Sequence, residues 1–320
     1  PVTDSALAKH PKVIATPHIA ASTDEAQINA AISIAEQINR YLRMDGSVAA
    51  TLSLQMVPME LVIPHEAVDA KRVTRLAASL EKEGMLVNPP LVAEYQGKYI
   101  VLDGATRTSA FSQLGIPHLV VQVADPNKDD VALHTWYHVV SGPSAEALLQ
   151  ELKQIPGLKL SQIPASDVHS MLREGSALAN IALEDGRFFH AEVAGEGHDR
   201  LDVLNQMVAR YTLWGDVART LTSDLDQLRA TYTDMAALIV FPQFQPEEAL
   251  QAAIQGKTLP QGITRFIIPG RVLRLNVPLE ILSTSDPLAS KRRWLDQYVH
   301  DKLNRQRVRY YHEPVILLED

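Results

Sequence analysis

The densest set of groups suited to phosphate chemistry is Val101-Leu102-Asp103-Gly104-Ala105-Thr106-Arg107-Thr108. Gly104 lets the main chain come close to a ligand, and the amides and positive dipole end of a following helix favour an anion. Ala105 adds only its backbone, Thr106 and Thr108 add hydroxyls, and Arg107 adds a fixed charge. A phosphate cradle and a plain turn with a helix cap both fit this composition. Asp103 reads either as a turn former or as a group that orients a phosphate donor and holds Mg²⁺ against it. Further along, Thr264, Arg265 and Arg271 supply hydroxyl and guanidinium groups matched to a carboxylate or a phosphoryl oxygen, or else the polar face of a half-exposed strand. His134, Trp136 and His138 alternate, which on one strand puts them on one face. Two histidines so spaced suggest a metal pair, but the sequence offers no third ligand beside them.

Elements able to position these groups are readable in the pattern. Leu54 to Ile63 is an expected strand closed by Pro64, and Asp69 caps an expected helix that runs to Glu83, with Gly84 just past its end. Leu91 to Tyr95 and Lys98 to Leu102 form two strands joined by Gln96-Gly97. The phosphate-suited octad is then a strand-to-helix turn, with Ser109 to Leu114 as the helix and Gly115 as its stop. Leu119 to Ala124 and Leu133 to Val140 complete a first module, and Ser141-Gly142-Pro143 marks its boundary. Beyond lie helices over 145–154, 200–214, 247–255 and 287–304, a hairpin about Asp185-Gly186, a buried strand over 237–241, two strands around Pro269-Gly270 and a final strand over 308–318. The predicted organisation is 1–52, a terminal segment and linker; 53–140, the nucleotide-binding module; and 141–320, a mixed α/β domain that closes the cleft.

Composition bounds the function. The chain has 320 residues, 46% of them hydrophobic, and a formal net charge of −8, which suits two domains with real cores and argues against coating nucleic acid. With no cysteine, thiolate nucleophiles, cysteine metal sites and disulfides are excluded. No apolar run approaches the length of a membrane span, so a cytoplasmic location is expected. Oligomeric state is not readable from the sequence.

Two resemblances sharpen this reading. The runs His65-Glu66, Asn88-Pro89-Pro90-Leu91-Val92, Asp103-Gly104-Ala105-Thr106-Arg107 and Thr135-Trp136-Tyr137-His138 resemble the free serine kinases of the ParB/sulfiredoxin-like fold. The later Gly262 to Arg271, Arg292-Arg293-Trp294 and Asn304 to Glu313 runs follow the same family's order. The fold implied is α+β: a ParB/sulfiredoxin-like module and a second mixed α/β domain, preceded by a dehydrogenase-derived helix. The function implied is transfer of a phosphoryl group from ADP to L-serine, giving O-phosphoserine and AMP. On this likeness Glu66 is the general base, Asp103 assists and holds Mg²⁺, Asp103 to Thr108 cradle the phosphates, and Trp136, His138, Thr264, Arg265 and Arg271 bind substrate. Without the likeness Glu66 is an ordinary acid ahead of a helix. Many relatives have histidines where this chain has Ala105-Thr106, so only the backbone cradle carries over there. A ParB-like nucleotide-sensing or DNA-binding regulator is the alternative, weakened by the lack of a basic motif at the turn and of a following helix-turn-helix.

The second resemblance is at the start. His10 to Thr23 is similar to the C-terminal end of D-3-phosphoglycerate dehydrogenases, with His18 on that family's acid/base histidine. No Gly-rich dinucleotide turn accompanies it, so a remnant without dehydrogenase activity is expected. A first residue that is Pro1 is compatible with a phosphoglycerate dehydrogenase upstream in the same polypeptide.

Overall fold

The computed structural model describes residues 52–308 apart from 128–130, 143, 169–170, 174–176 and 306. The expected dehydrogenase-like segment and the expected strand over 308–318 therefore lie outside the described residues, but for Leu52 and Val308. Two units are distinguished: Ser53–Leu295 in one, and in the other the described residues from Asp296 to Val308. Both large sheets belong to the unit Ser53–Leu295.

The first sheet has five strands in the order β1-β6-β4-β5-β2: β1 (Leu54–Pro58), β2 (Val62–Pro64), β4 (Leu91–Tyr95), β5 (Lys98–Asp103) and β6 (His118–Val123). The expected single strand over 54–63 is interrupted after Pro58 by a short 3-10 turn, Met59–Leu61. This break sends β1 to one edge of the sheet, beside β6, and β2 to the other, beside β5. Helix α1 (Ala70–Glu83) has the expected ends. Asp69 accepts from the amides of Lys71 (2.8 Å) and Arg72 (3.4 Å), and Gly84 closes the helix at φ +65°. Val73, Ala77 and Leu80 recur at helical spacing and are its buried stripe. The β4–β5 turn needs positive φ at both central residues, and Gln96 and Gly97 adopt 49° and 75°. Helix α2 (Ala105–Gln113) starts four residues earlier than the sequence pattern suggests, so the strand-to-helix turn shrinks to Gly104 alone.

The second sheet is antiparallel throughout, in the order β12-β8-β13-β10-β11-β9. Its strands are β8 (Tyr137–Ser141), β9 (Leu158–Ile163), β10 (Ala177–Leu183), β11 (Phe188–Val193), β12 (Asp216–Thr220) and β13 (Met235–Val240). All residues of β10 and β13 are buried, as continuous apolar strands covered on both faces require. Helices α3 (Ala145–Leu152), α4 (Arg200–Trp214), α5 (Leu225–Thr231) and α6 (Pro246–Ile254) accompany it. β8, which includes the residues just ahead of Ser141, lies in this second sheet between β12 and β13.

Two ribbons join the layers. β7 (Ala132–Thr135) pairs with β14 (Thr264–Ile267), and β3 (Met85–Leu86) with β15 (Val277–Pro278). The two strands expected around Pro269-Gly270 are β14 and β15, which take β7 and β3 as their partners and are joined by a loop over 268–276. After β15, helix α7 (Leu279–Ser283) and the start of α8 (Leu288–Asn304) return to the first sheet, where Arg292 Nε donates to Met56 O at 3.1 Å.

Candidate active site

The one parallel pairing at the edge of the first sheet does most to assemble the site. β2 runs beside β5 in the register Val62↔Tyr99, Ile63↔Ile100, Pro64↔Val101. Parallel neighbours end on the same side, so the residues that follow β2, His65 and Glu66, emerge next to those that end β5, Asp103 and Gly104. His65 locks the two together. It is 2% exposed, and its Nδ1 donates a short hydrogen bond to Val101 O. A carbonyl can only accept, so Nδ1 carries the proton, and Nε2 then accepts from Thr264 Oγ1 at 2.8 Å. Burial lowers the His65 pKa, against the field of Glu66, the hydrogen bond to Val101 and the field of Asp103, and so favours the neutral ring.

A second segment, Leu259 to Arg265, stitches this corner to the other layer. Leu259 N donates to His65 O and Ala67 N to Leu259 O, both at 2.8 Å, which makes a parallel bridge at Glu66. Gly262 N donates to Glu66 Oε2 at 3.1 Å. On its other side Gly262 O receives His138 Nε2 at 3.1 Å, while Tyr211 OH reaches His138 Nδ1 at 2.6 Å. Burial, with Arg219 adding to it, pushes the His138 pKa down to about 4. Gly262 sits at φ +77°, where a side chain is strained. A cavity of about 260 Å³ borders Glu66, lined also by Ile63, Pro64, Ala67 and the Ala253–Thr258 region; the phosphate-suited turn gives it no residue.

At that turn Gly104 (φ +96°) serves as the helix N-cap and offers no side-chain oxygen to the first-turn amides. A Cβ there would lie 3.3 Å from Pro90 Cβ, so the position is tight as well as left-handed. Ala105 and Thr108 are buried, and Thr108 Oγ1 has no hydrogen-bond partner among the described residues. Thr106 and Arg107 are half-buried. Asp103 pairs with Arg271 through a short contact between Oδ2 and Nη2. The loop that carries Arg271 is pinned by Gln122, whose Nε2 donates to Gly270 O and whose Oε1 accepts from Val272 N, both at 2.8 Å.

The histidine pattern resolves differently from a strand with one shared face. The chain breaks at Trp136 between β7 and β8, leaving His134 exposed and His138 buried. They form no metal pair, and no cluster of three or more His, Cys, Asp or Glu able to hold a metal occurs among the described residues. Trp136 donates its amide to Ile263 O at 2.9 Å, and the Arg265 guanidinium stacks 4.9 Å from its ring. Glu66, His138, Trp136, Thr264 and Arg265 are thus gathered around 259–265, with Asp103 to Thr108 and Arg271 across the β2–β5 edge. Sequence reasoning gave no role to His65, Gly262 or Gln122. Gly262 was visible only as the first residue of the run to Arg271 that follows the serine kinases' order.

No family model matches the sequence. Pairwise similarity is extensive: the chain is 27% identical over 270 residues to an ATP-dependent L-serine kinase, SbnI, of Staphylococcus aureus, covering 83% of this chain and 97% of the relative. The chain is similar to the free L-serine kinases. The likeness extends to an ADP-dependent L-serine kinase of Thermococcus kodakarensis, 26% identical over 230 residues and covering 71% of this chain and 91% of the relative. A structure of the staphylococcal SbnI, truncated at its C-terminus, superposes with a TM-score of 0.62 at 25% identity, covering 78% of this chain and 97% of that one. A free serine kinase in complex with AMP has a TM-score of 0.61 and covers 72% and 93%; at 19% identity it shows the fold. The fold is the α+β one expected, with its ParB/sulfiredoxin-like module. A shorter likeness, 42% over 91 residues, ties 28% of the chain to 15% of a chloroplastic D-3-phosphoglycerate dehydrogenase of Arabidopsis thaliana. The dehydrogenase-like resemblance is therefore present in the chain.

Proposed function

We propose that the protein is an L-serine kinase, with Glu66 as general base and ADP as the phosphoryl donor. The observation that carries this reading is the pairing of a carboxylate, Glu66, with an uncapped helix N-terminus across one sheet edge, in a chain similar to L-serine kinases over most of its length. Glu66 takes the proton of the serine hydroxyl, the serine oxygen bonds to the terminal phosphorus, and the bridging P–O bond of the donor breaks, leaving O-phosphoserine and AMP. Catalysis in such transfers is mostly position and charge neutralisation. The first-turn amides and the Thr106 hydroxyl hold the donor phosphates, and Arg107 and Arg271 offset their charge. Trp136, Thr264 and Arg265 wall the acceptor side. His138, with both ring nitrogens engaged, acts through Gly262 and not on the substrate.

Mg²⁺ commonly needs only one or two carboxylates besides phosphate oxygens. Asp103, half-exposed at the turn, is a suitable single ligand, and the ion would supply charge neutralisation on the donor. The donor assignment has mixed support, as the relatives carry both names: ATP-dependent in Staphylococcus aureus and Staphylothermus marinus, ADP-dependent in Thermococcus kodakarensis. Among the described residues no helix is long and apolar enough to cross a membrane.

The test is purified protein with L-serine, Mg²⁺ and either ADP or ATP, followed by chromatography for O-phosphoserine and for AMP or ADP. Turnover with ADP and a fall of at least ~100-fold in kcat for Glu66→Gln are expected. Equal rates for wild type and variant would remove the base assignment. Turnover with ATP alone would correct the donor.

A further inference from the structure

We infer that Arg219 is the residue that binds the acceptor's carboxylate and so sets the specificity for an amino acid over a simple alcohol. This rests on the kinase reading above.

Arg219 lies on β12, in register opposite His138. Its guanidinium covers the α-carbon of Gly262: a Cβ built on that glycine would stand 2.2 Å from Nη2, 2.4 Å from Cζ and 2.5 Å from Nε. Similar distances to all three atoms mean that the guanidinium lies broadside to the glycine, with its N–H donors directed sideways. The same glycine donates its amide to Glu66 Oε2. Cation and carboxylate therefore meet on one residue, whose absent side chain leaves room for the guanidinium.

The other cations of this corner are placed elsewhere: Arg107 and Arg271 stand at the phosphate-suited turn, Arg271 paired with Asp103, and Arg265 is stacked on Trp136. Arg219 is exposed and, among the described residues, forms no ion pair. In L-serine the hydroxyl and the carboxylate hang from adjacent carbons. An acceptor whose hydroxyl meets Glu66 thus presents its carboxylate about one residue away, within reach of a planar, five-donor cation that binds carboxylates through two hydrogen bonds. No residue type in the Asp216 to Thr220 stretch signals this, because its link to Glu66 exists only through the fold.

The assay compares wild type, Arg219→Ala and Arg219→Lys for KM of L-serine, KM of the nucleotide and kcat. Ethanolamine, which has the hydroxyl and amine but no carboxylate, serves as a second acceptor. Arg219→Ala is expected to raise KM for L-serine by about 10- to 100-fold, the usual worth of a hydrogen bond to a charged group, and to leave the nucleotide KM within about twofold. Arg219→Lys, which keeps charge but not the fork, should fall between. Activity on ethanolamine should be weak and alike in all three. An unchanged L-serine KM in Arg219→Ala overturns the assignment; should that variant lose its folded circular-dichroism spectrum, Arg219→Lys decides on the same criterion. Calorimetric titration of L-serine separates the two readings. Wild-type binding without turnover refutes the kinase reading, and the Arg219 assignment then stands or falls with loss of binding in the variant. Neither binding nor turnover by wild type overturns both.

Discussion

His138 should make the fold sensitive to mild acid, and the size of the effect follows from its surroundings. The ring is 2% exposed, Nε2 must donate because its partner is the Gly262 carbonyl, and Nδ1 accepts from Tyr211. A proton added at Nδ1 would remove that acceptor and bury a charge. The folded-state pKa is about 4, against 6.5 for a free imidazole. At about 1.36 kcal/mol per unit the difference is worth about 3 kcal/mol. The sign follows from proton uptake: between these pH values the unfolded chain binds the proton that the folded chain refuses. The stabilisation is whole above about pH 6.5, declines as pH falls towards 4, and is gone below it. Urea unfolding at steps from pH 7.5 to 4.5 would measure it, with His138→Gln as the non-titrating reference. Wild type should lose most of that ~3 kcal/mol in excess of the variant's own pH dependence, which also cancels other titrating groups such as His65. Parallel curves for the two proteins would refute the account of a buried neutral imidazole.

Two further outcomes test the scaffold. Asp69→Ala removes the cap that holds the amides of Lys71 and Arg72 and should lower unfolding free energy by about 1 kcal/mol, read from denaturant midpoints. Gln122→Ala frees Gly270 O and Val272 N together and should cost about 1–3 kcal/mol. Because that loop carries Arg271, the nucleotide KM should rise while KM for L-serine stays put. An unchanged nucleotide KM would separate the loop from donor binding.

Sequence alone carried the elements whose ends are chemically marked. Asp69 and Gly84 bound α1, Gln96-Gly97 fixes a hairpin, and the apolar spacing of Arg200 to Trp214 matches α4 residue for residue. It failed where the mark is weak. Ala105 to Thr108 lack apolar periodicity, so the start of α2 was hidden; the short strands β9 and β12 mix polar and apolar residues without regular alternation and pass for loop. Site residues were recoverable as types, but the partners that hold them were not. The contact of Gly262 with Glu66 and that of His65 with Thr264 span 196 and 199 positions, and parallel pairing such as β2 with β5 leaves no local signature in the chain.

The chain visits the first sheet, builds the second, and then comes back through β15 and α7. Its two layers are consequently not beads on a string. A single cut between them would part β3 from its partner β15, and a domain exchange among relatives would require two crossovers, one on either side of the inserted layer. The corner at Glu66 is accordingly built from chain on both sides of the inserted layer, His65 and Glu66 before it and Gly262 and Thr264 after it.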